Sequence, residues 1–274
     1  MKIEDLLVYG KQHIHSDYAK ILLAELLNKN PLELLNCLEE EVTEEIQEKY
    51  KKEVIAMENG TPLQYAIGNV NFYGIKYEID ERVLIPRFET EELVENTIKY
   101  INKFFKEPID IVDLGCGSGV IGLTLEKKVS TKTVDLIDIS KDALEVTHKN
   151  CGNLSSKANI IENDFLEGIN KRYDVIISNP PYIKINETIE QIVADNEPKI
   201  ALYAGEEGLD CYKKILKNVK NNIKERCLIA FEIGCDQAEP LIKMIEEYLD
   251  NVRIEVKKDL SEKDRMIFIF KNLE

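Results

Sequence analysis

Short apolar runs alternate with helical stretches from residue 109 to the end of the sequence, and this alternation constrains the fold more than any other feature. It is typical of a parallel sheet covered by helices on both faces. The last two runs are close enough in sequence to pair as antiparallel strands. The predicted strands are Ile109–Leu114, Thr133–Asp138, Asn159–Glu162, Tyr173–Ser178, Cys227–Glu232, Val252–Val256 and Met266–Phe270.

The residues before the sheet follow two other patterns. Apolar residues at helical spacing, such as Tyr18, Ile21 and Leu22, predict a small helical bundle. Alternation from Tyr73 to Ile79 predicts a β-hairpin. A chain of 274 residues favours two domains over a single core. We therefore predict a helical domain at 1–60, a hairpin linker at 61–88 and a catalytic domain at 89–274.

A glycine-rich loop follows the first predicted strand of the sheet. Gly115, Gly117 and Gly119 come directly after Asp113-Leu114, where glycines let backbone N–H groups approach a ligand. Gly117, Gly119 and Gly122 also satisfy the dinucleotide pattern, so a dehydrogenase is an alternative. Asp113 and the tighter spacing resemble the loop of Rossmann-like methyltransferases. That resemblance implies S-adenosylmethionine as the cofactor.

Two further strand ends carry polar or aromatic residues that suit a nucleoside. Asp138 ends the second strand, where a carboxylate can accept hydrogen bonds from ribose hydroxyls, although a helix N-cap is the simpler alternative. Asp164 and Phe165 follow the third strand and can contact an adenine amine and ring. Because ligands lie at the carboxyl ends of parallel strands, these residues are predicted to face one crevice.

The tetrapeptide Asn179-Pro180-Pro181-Tyr182 follows the fourth strand. A planar amide or exocyclic amine nitrogen delocalises its lone pair, so methylation requires that pair to be localised and aligned. The Asn179 side-chain oxygen and the Pro180 carbonyl can accept the two N–H hydrogens of such a group. Consecutive prolines keep these acceptors rigid, and Tyr182 can stack on the flat acceptor. We predict an acceptor site for a planar nitrogen.

Composition limits the partners. The formal net charge of −15 disfavours a long nucleic-acid duplex, which a basic surface would normally bind. Six isolated cysteines, without a C-x-x-C pair or nearby histidines, predict reduced thiols and no metal site. No long apolar segment or signal-peptide pattern is present in the sequence, which predicts a soluble cytoplasmic protein without membrane binding.

Several motifs together resemble one family, the methyltransferases that modify the side-chain nitrogen N5 of the glutamine in the Gly-Gly-Gln motif of peptide chain release factors. Besides the glycine loop and Asn179–Tyr182, the resemblance depends on three segments, with Phe88 and Lys51-Lys52 as departures from the family pattern. These segments are Gly60–Gly68, Leu84–Glu91 and Asn196-Glu197-Pro198. The resemblance implies a seven-stranded Rossmann-like class I methyltransferase fold of the α/β class, with release factors as protein partners.

The family resemblance also implies roles for individual residues. Asn179, Pro180 and Tyr182 are the predicted catalytic residues. The predicted substrate-binding residues are Asn179, Pro180, Pro181, Tyr182 and Glu232. The predicted cofactor-binding residues are Arg87, Thr90, Glu91, Gly115, Cys116, Gly117, Ser118, Gly119, Asp138, Asp164, Phe165 and Asn179.

Two other functions fit parts of this pattern. A nucleic-acid amine methyltransferase, acting for example on adenine N6, would use the same acceptor motif but normally carries a target-recognition region. A non-catalytic S-adenosylmethionine-binding protein would not need Asn179 and Tyr182.

A surface ion pair between Arg87 and Glu89 is the simpler interpretation of those two residues.

Overall fold

The computed structural model describes residues 1–274, which form two compact units. The first unit comprises Met1–Asn69, Ile79–Glu81 and Ile189–Asn196. The second comprises Val70–Glu78, Arg82–Thr188 and Glu197–Glu274.

The first unit is helical, as the apolar spacing predicts. Its core is apolar, with the buried Tyr50 donating its hydroxyl to the Ala19 carbonyl at 3.2 Å. A short helix from the third segment belongs to this unit, and Asn196 at its end donates to the Gly60 carbonyl at 3.0 Å. The helices are α1 (Ile3–His13), α2 (Ser16–Leu26), a 3₁₀ helix (Glu33–Asn36), α3 (Glu44–Glu58), α4 (Leu63–Ile67) and, later in the chain, α8 (Gln191–Asn196).

Helix α4 is a feature of the linker that the sequence pattern does not predict. Pro62 precedes it, and Gly68 ends it with φ of +82°, a left-handed conformation that suits glycine. Its five residues make little more than one turn, too short for a periodic apolar pattern to stand out.

The predicted hairpin follows directly. Strands β1 (Asn69–Phe72) and β2 (Ile75–Glu78) form a two-stranded sheet. Tyr73 lies in the turn with φ of +52°, so it is outside the alternation assigned to it. Tyr77 is fully buried, and its hydroxyl lies 2.7 Å from that of Thr124. The hairpin is therefore packed into the core of the second unit.

A seven-stranded mixed sheet forms the centre of the second unit, as predicted. Its order is β5-β4-β3-β6-β7-β9-β8, with β9 antiparallel to both neighbours and the remaining pairs parallel. The strands are β3 (Ile109–Leu114), β4 (Thr131–Asp138), β5 (Asn159–Glu162), β6 (Tyr173–Ser178), β7 (Ile223–Glu232), β8 (Val252–Lys258) and β9 (Asp264–Lys271). The strand order reverses at β3, which creates a crevice outside the carboxyl ends of β3 and β6.

Helices cover both faces of this sheet. The alternate residues Ile111 and Val112 of β3 belong to different apolar clusters, because successive side chains of a strand point to opposite faces. One cluster contains α5 (Phe88–Phe104) and α6 (Val120–Lys128), and the other contains α9 (Asp210–Asn222) and α10 (Ala238–Tyr248). Helix α7 (Lys141–Asn153) connects β4 with β5.

The two edge strands of the sheet differ in length and composition. Strand β5 has only four residues. Strand β8 is longer and carries Arg253, Glu255 and Lys257 at alternate positions.

Candidate active site

The glycine loop and the acceptor tetrapeptide follow two neighbouring parallel strands. In the register of the sheet, Asp113 of β3 is opposite Ile177 of β6. The loop begins two residues after Asp113, and the tetrapeptide begins two residues after Ile177. The fold therefore brings these two motifs together at the carboxyl edge, as the sequence predicts.

The glycine loop depends on positive φ angles. Gly115, Gly117 and Gly119 have φ of +68°, +55° and +81°. Other L-residues adopt this region at a steric cost, whereas glycine does so freely. Gly119 caps the start of α6, so the loop presents backbone N–H groups at a helix N-terminus. Such a loop can bind the carboxylate or hydroxyl groups of a ligand.

Asp138 is joined to the glycine loop. Its two carboxylate oxygens accept N–H hydrogen bonds from Gly117 at 2.8 Å and from Ser140 at 2.9 Å. Burial raises the pKa of Asp138, and these backbone donors partly offset the effect. The N-cap of α7 is Ser140, which accepts from Ala143 N–H at 3.2 Å. Asp138 is therefore free of the capping role and lies against the loop.

A second buried carboxyl, Asp113, lies beneath the same loop. One oxygen accepts the Gly122 N–H at 2.8 Å, and the other is buried without a hydrogen-bond partner. Burial, together with the Asp138 charge, raises its pKa to about 7 even though the Gly122 hydrogen bond acts in the opposite direction. A cation nearby would compensate both carboxyls. S-adenosylmethionine, with a sulfonium and an ammonium group, fits this requirement.

A cavity of about 360 Å³ opens at this edge of the sheet, within the usual size range of ligand pockets. Of the residues predicted to bind cofactor or substrate, most line it: Thr90, Gly115, Cys116, Gly117, Ser118, Asp138, Asp164, Phe165, Asn179 and Pro181. The others are not among the lining residues: Arg87, Glu91, Gly119, Pro180, Tyr182 and Glu232.

Asp164 has a partner that the sequence did not indicate. The Lys214 ammonium on α9 donates to one Asp164 oxygen at 2.6 Å, and both residues line the cavity. This contact raises the pKa of Lys214. The second Asp164 oxygen keeps its lone pairs for another donor.

The side chain of Asn179 belongs to a buried polar chain. Its amide nitrogen donates to the Thr90 hydroxyl at 3.1 Å, and Thr90 donates to Glu232 at 2.6 Å. The Tyr182 hydroxyl donates to the other Glu232 oxygen at 3.2 Å. Burial of the Glu232 carboxyl raises its pKa to about 7. Glu232 thus contacts two residues of the acceptor site's polar chain without lining the cavity.

The backbone of Tyr182 is fixed separately. The Gln237 side-chain amide donates to the Tyr182 carbonyl at 2.9 Å and to the Gly208 carbonyl at 3.1 Å. A Cβ added to Gly208 would lie 2.3 Å from the Tyr182 carbonyl oxygen. Glycine at this position is therefore required by the close approach of the acceptor loop.

Arg87 forms an ion pair with Glu197, and not with Glu89 as the simpler interpretation of the sequence has it. Glu197 is 4% exposed and also accepts the Ile85 N–H at 3.1 Å. Arg87 belongs to the segment Leu84–Glu91 and Glu197 to the segment Asn196-Glu197-Pro198. The ion pair joins these two segments, which are distant in sequence. Pro198, immediately after Glu197, lines the cavity.

Part of the cavity wall has no signal in the sequence. Residues on the segment after Glu197 and on α9 reach the cavity through the fold alone, and no glycine pattern or acidic strand end marks them. They include Ile200, Ala201, Tyr203, Ala204, Gly205, Asp210, Cys211 and Lys214.

No group of three or more histidine, cysteine or acidic side chains is arranged to hold a metal ion. None of the helices has the length and apolar character needed to cross a membrane.

Comparison with known proteins identifies the class. The Methyltransferase small domain family matches residues 91–197, and the PrmC N-terminal domain family matches residues 13–68. A T. thermophilus 16S rRNA N2 G1207 methyltransferase shares the fold, with a TM-score of 0.54 and 16% identity over 74% of this chain and 50% of that chain. A methyltransferase from Pyrococcus furiosus aligns with a TM-score of 0.52 and 16% identity over 73% of this chain and 91% of that chain. Fold and site together define an S-adenosylmethionine-dependent methyltransferase.

Relatives named release factor glutamine methyltransferase match most of the chain: the Bacillus cereus protein is 34% identical over 91% of this chain and 90% of its own, and the Streptococcus pneumoniae protein 32% identical over 97% and 94%. The chain belongs to the release factor glutamine methyltransferase family.

Proposed function

We propose that this enzyme transfers a methyl group from S-adenosylmethionine to the side-chain nitrogen N5 of the glutamine in the Gly-Gly-Gln motif of peptide chain release factors. The observation that carries the proposal is the orientation of Asn179. Its amide nitrogen is engaged with Thr90 at 3.1 Å, so its oxygen remains available to accept from another amide. Since translation termination takes place in the cytoplasm, we infer that location for the enzyme.

The acceptor site would work by positioning. The Asn179 oxygen and the Pro180 carbonyl accept the two N–H hydrogens of the glutamine amide, which rotates its lone pair out of conjugation and aims it at the methyl group. When bound, S-adenosylmethionine supplies an electrophilic methyl on a sulfonium sulfur. The new N–C bond would replace the S–C bond of the cofactor, and one amide proton would be lost to solvent. Tyr182 holds the flat acceptor from one side.

The cofactor would occupy the cavity beside the glycine loop. We assign the ribose hydroxyls to Asp138 and the adenine to Asp164 and Phe165. The backbone of Gly115 to Gly119 would hold the amino-acid end. Arg87 and Glu91 do not line the cavity. Their assignment to cofactor binding therefore depends on the family resemblance alone.

We infer that the helical residues 1–60 dock the release factor, with 61–88 as linker and 89–274 as catalytic domain. The net charge of −15 supports a protein partner over stable binding of nucleic acid, since phosphate contacts require basic side chains.

The test is methyl transfer from labelled S-adenosylmethionine to folded release factors, with the modified residue located by mass spectrometry. A gain of one methyl on the Gly-Gly-Gln glutamine is expected, and a release factor with that glutamine replaced by alanine is the control. DNA and RNA oligonucleotides containing adenine are assayed in parallel. Transfer to a nucleic-acid amine with none to glutamine would overturn the proposal.

A further inference from the structure

Glu232 is a deeply buried acidic group beside the acceptor site, and the acceptor chemistry above gives it no role. It ends β7, is 1% exposed, and accepts from Thr90 and Tyr182. Its backbone carbonyl also accepts the Tyr212 hydroxyl at 2.6 Å, which fixes the strand end. Hydrogen bonds therefore fix both the main chain and the side chain of Glu232.

When Glu232 is ionised, the donor and the acceptor of each hydrogen bond from Asn179 through Thr90 to Glu232 are fixed. A carboxylate only accepts, so the single proton of the Thr90 hydroxyl is committed to Glu232 over 2.6 Å. The Thr90 oxygen can then only accept, and Asn179 must turn its NH₂ group toward it. The Asn179 oxygen consequently faces away from Thr90, toward the acceptor.

We propose that Glu232 is a positioning residue that acts through Thr90 to keep the oxygen of Asn179 directed at the acceptor amide. The proposal rests on the proposed function, because it assumes an acceptor that donates N–H groups. Glu232 also positions Tyr182, whose hydroxyl donates to the other Glu232 oxygen at 3.2 Å.

The charged groups around Glu232 shift its pKa in opposite directions. Arg265 on β9 favours the ionised form and Glu89 on α5 opposes it, while Thr90 and Tyr182 stabilise the carboxylate by hydrogen bonds. Arg265 donates to Asp259 at 3.2 Å and to the Ile233 carbonyl at 3.3 Å, and its ion-pair partner is Asp259. Burial outweighs these contacts and raises the pKa of Glu232 to about 7.

Protonation of Glu232 would reverse the donor and acceptor roles in these hydrogen bonds. A protonated Glu232 can donate to Thr90, and the Thr90 hydroxyl can then donate to Asn179, whose amide would present its NH₂ group to the acceptor. Because the ionised form is the active one, turnover should rise as the pH increases through about 7 and level off above it.

The test uses the full chain with a release factor as substrate. Glu232→Gln can donate to Thr90 at every pH, so kcat should fall about 10- to 100-fold with little change in KM, and the acid limb of the pH profile should disappear. Thr90→Val, which lacks the hydroxyl, should show a similar loss, and Thr90→Ser should recover most of it. In the Thr90→Val background, Glu232→Gln should add almost nothing, since both changes break one chain.

Asp135→Asn is the matched control, because Asp135 is another buried carboxyl that accepts a tyrosine hydroxyl, that of Tyr173 at 2.8 Å. It lies outside the polar chain of the acceptor site. Asp135→Asn should leave the pH profile and kcat unchanged even where it lowers the free energy of unfolding.

A second measurement does not need turnover. In ¹⁵N-labelled protein, the side-chain amide signals of Asn179 should shift with pH near 7 in the wild type and stay constant in Glu232→Gln. Wild-type kcat and an intact acid limb in folded Glu232→Gln, or pH-independent Asn179 signals in the wild type, would overturn this proposal. Absence of glutamine methylation by the wild type would instead overturn the proposed function.

Discussion

Glu197 and Arg87 form an ion pair in which the carboxylate is buried and the guanidinium is partly exposed, with side-chain exposures of 1% and 36%. The pair connects the residues before α5 with the segment that continues into the cavity wall at Pro198. Its removal should therefore affect both stability and cofactor affinity.

Glu197→Ala should lower the free energy of unfolding by about 1–3 kcal/mol, because it leaves the Ile85 N–H without its acceptor. Glu197→Gln keeps an acceptor and should lose less. Glu239→Ala, which breaks the exposed pair with Lys243, should have no measurable effect. Urea unfolding and calorimetric titration with S-adenosylmethionine check these outcomes, and equal stability of Glu197→Ala and wild type would contradict them.

Asn179→Ala should reduce kcat by about 100- to 1000-fold while leaving the Kd for S-adenosylmethionine nearly unchanged. The lost oxygen serves the acceptor and its transition state, which removes catalysis more than cofactor binding. Single-turnover kinetics and equilibrium binding separate the two. Equal losses in both would mean that Asn179 chiefly binds cofactor.

Asp138→Ala should weaken S-adenosylmethionine binding by about 10- to 100-fold, the range for hydrogen bonds to a charged group. The carboxylate also accepts from Gly117 at 2.8 Å, so its loss loosens the loop as well. Asp138→Asn retains one acceptor oxygen and should be intermediate in affinity. Unchanged binding in Asp138→Ala would refute the assignment of ribose to this residue.

Gly208→Ala should lower both stability and kcat, because the new methyl group would displace the Tyr182 carbonyl oxygen, 2.3 Å away. Gly168→Ala is a matched control: Gly168 has φ of +68° against +72° for Gly208, but a Cβ there meets nothing within 4 Å. The shared backbone strain should cost both variants about 1 kcal/mol of stability. Only Gly208→Ala should impair turnover. Normal turnover in this variant would show that the position of Tyr182 tolerates displacement.

Asp113→Asn should flatten the dependence of apo-protein stability on pH. Burial raises the folded-state pKa of Asp113 from 3.8 to about 7, so its contribution to stability is present at low pH and is lost as the pH rises through 7. Between pH 5 and 8 this amounts to roughly 2–3 kcal/mol for one carboxyl. Urea unfolding at several pH values should show a shallower decline in Asp113→Asn. An unchanged slope would mean that Asp113 titrates normally.

The sequence predicts the sheet well because its central strands, such as β3 and β6, are buried on both faces. Runs such as Ile109–Leu114 and Tyr173–Ser178 are found with the predicted bounds. Strand β7 begins four residues earlier than predicted, at Ile223, because polar residues such as Lys224 also adopt strand conformation at its start. A charged side chain interrupts an apolar run without interrupting a strand.

The candidate site could be predicted only where a local motif marks it. The glycine loop and Asn179–Tyr182 have such motifs, and the fold brings them together. Contacts between distant positions have none: Thr90 and Glu232 are 142 residues apart in sequence. Lys214 meets Asp164 only because α9 packs in one apolar cluster with Phe165 and Leu166, which follow Asp164. Helix packing, not residue pattern, decides these pairs.

The edges of the sheet also bear on how a partner can bind. An exposed strand edge is where a foreign strand can add to a sheet, and where chains aggregate. Strand β5 is too short to serve as a template, and the charges at Arg253, Glu255 and Lys257 make β8 a poor one. Recognition by strand addition is thus disfavoured. A substrate loop would gain its affinity from side chains and shape, and could leave the enzyme without breaking a ladder of main-chain hydrogen bonds.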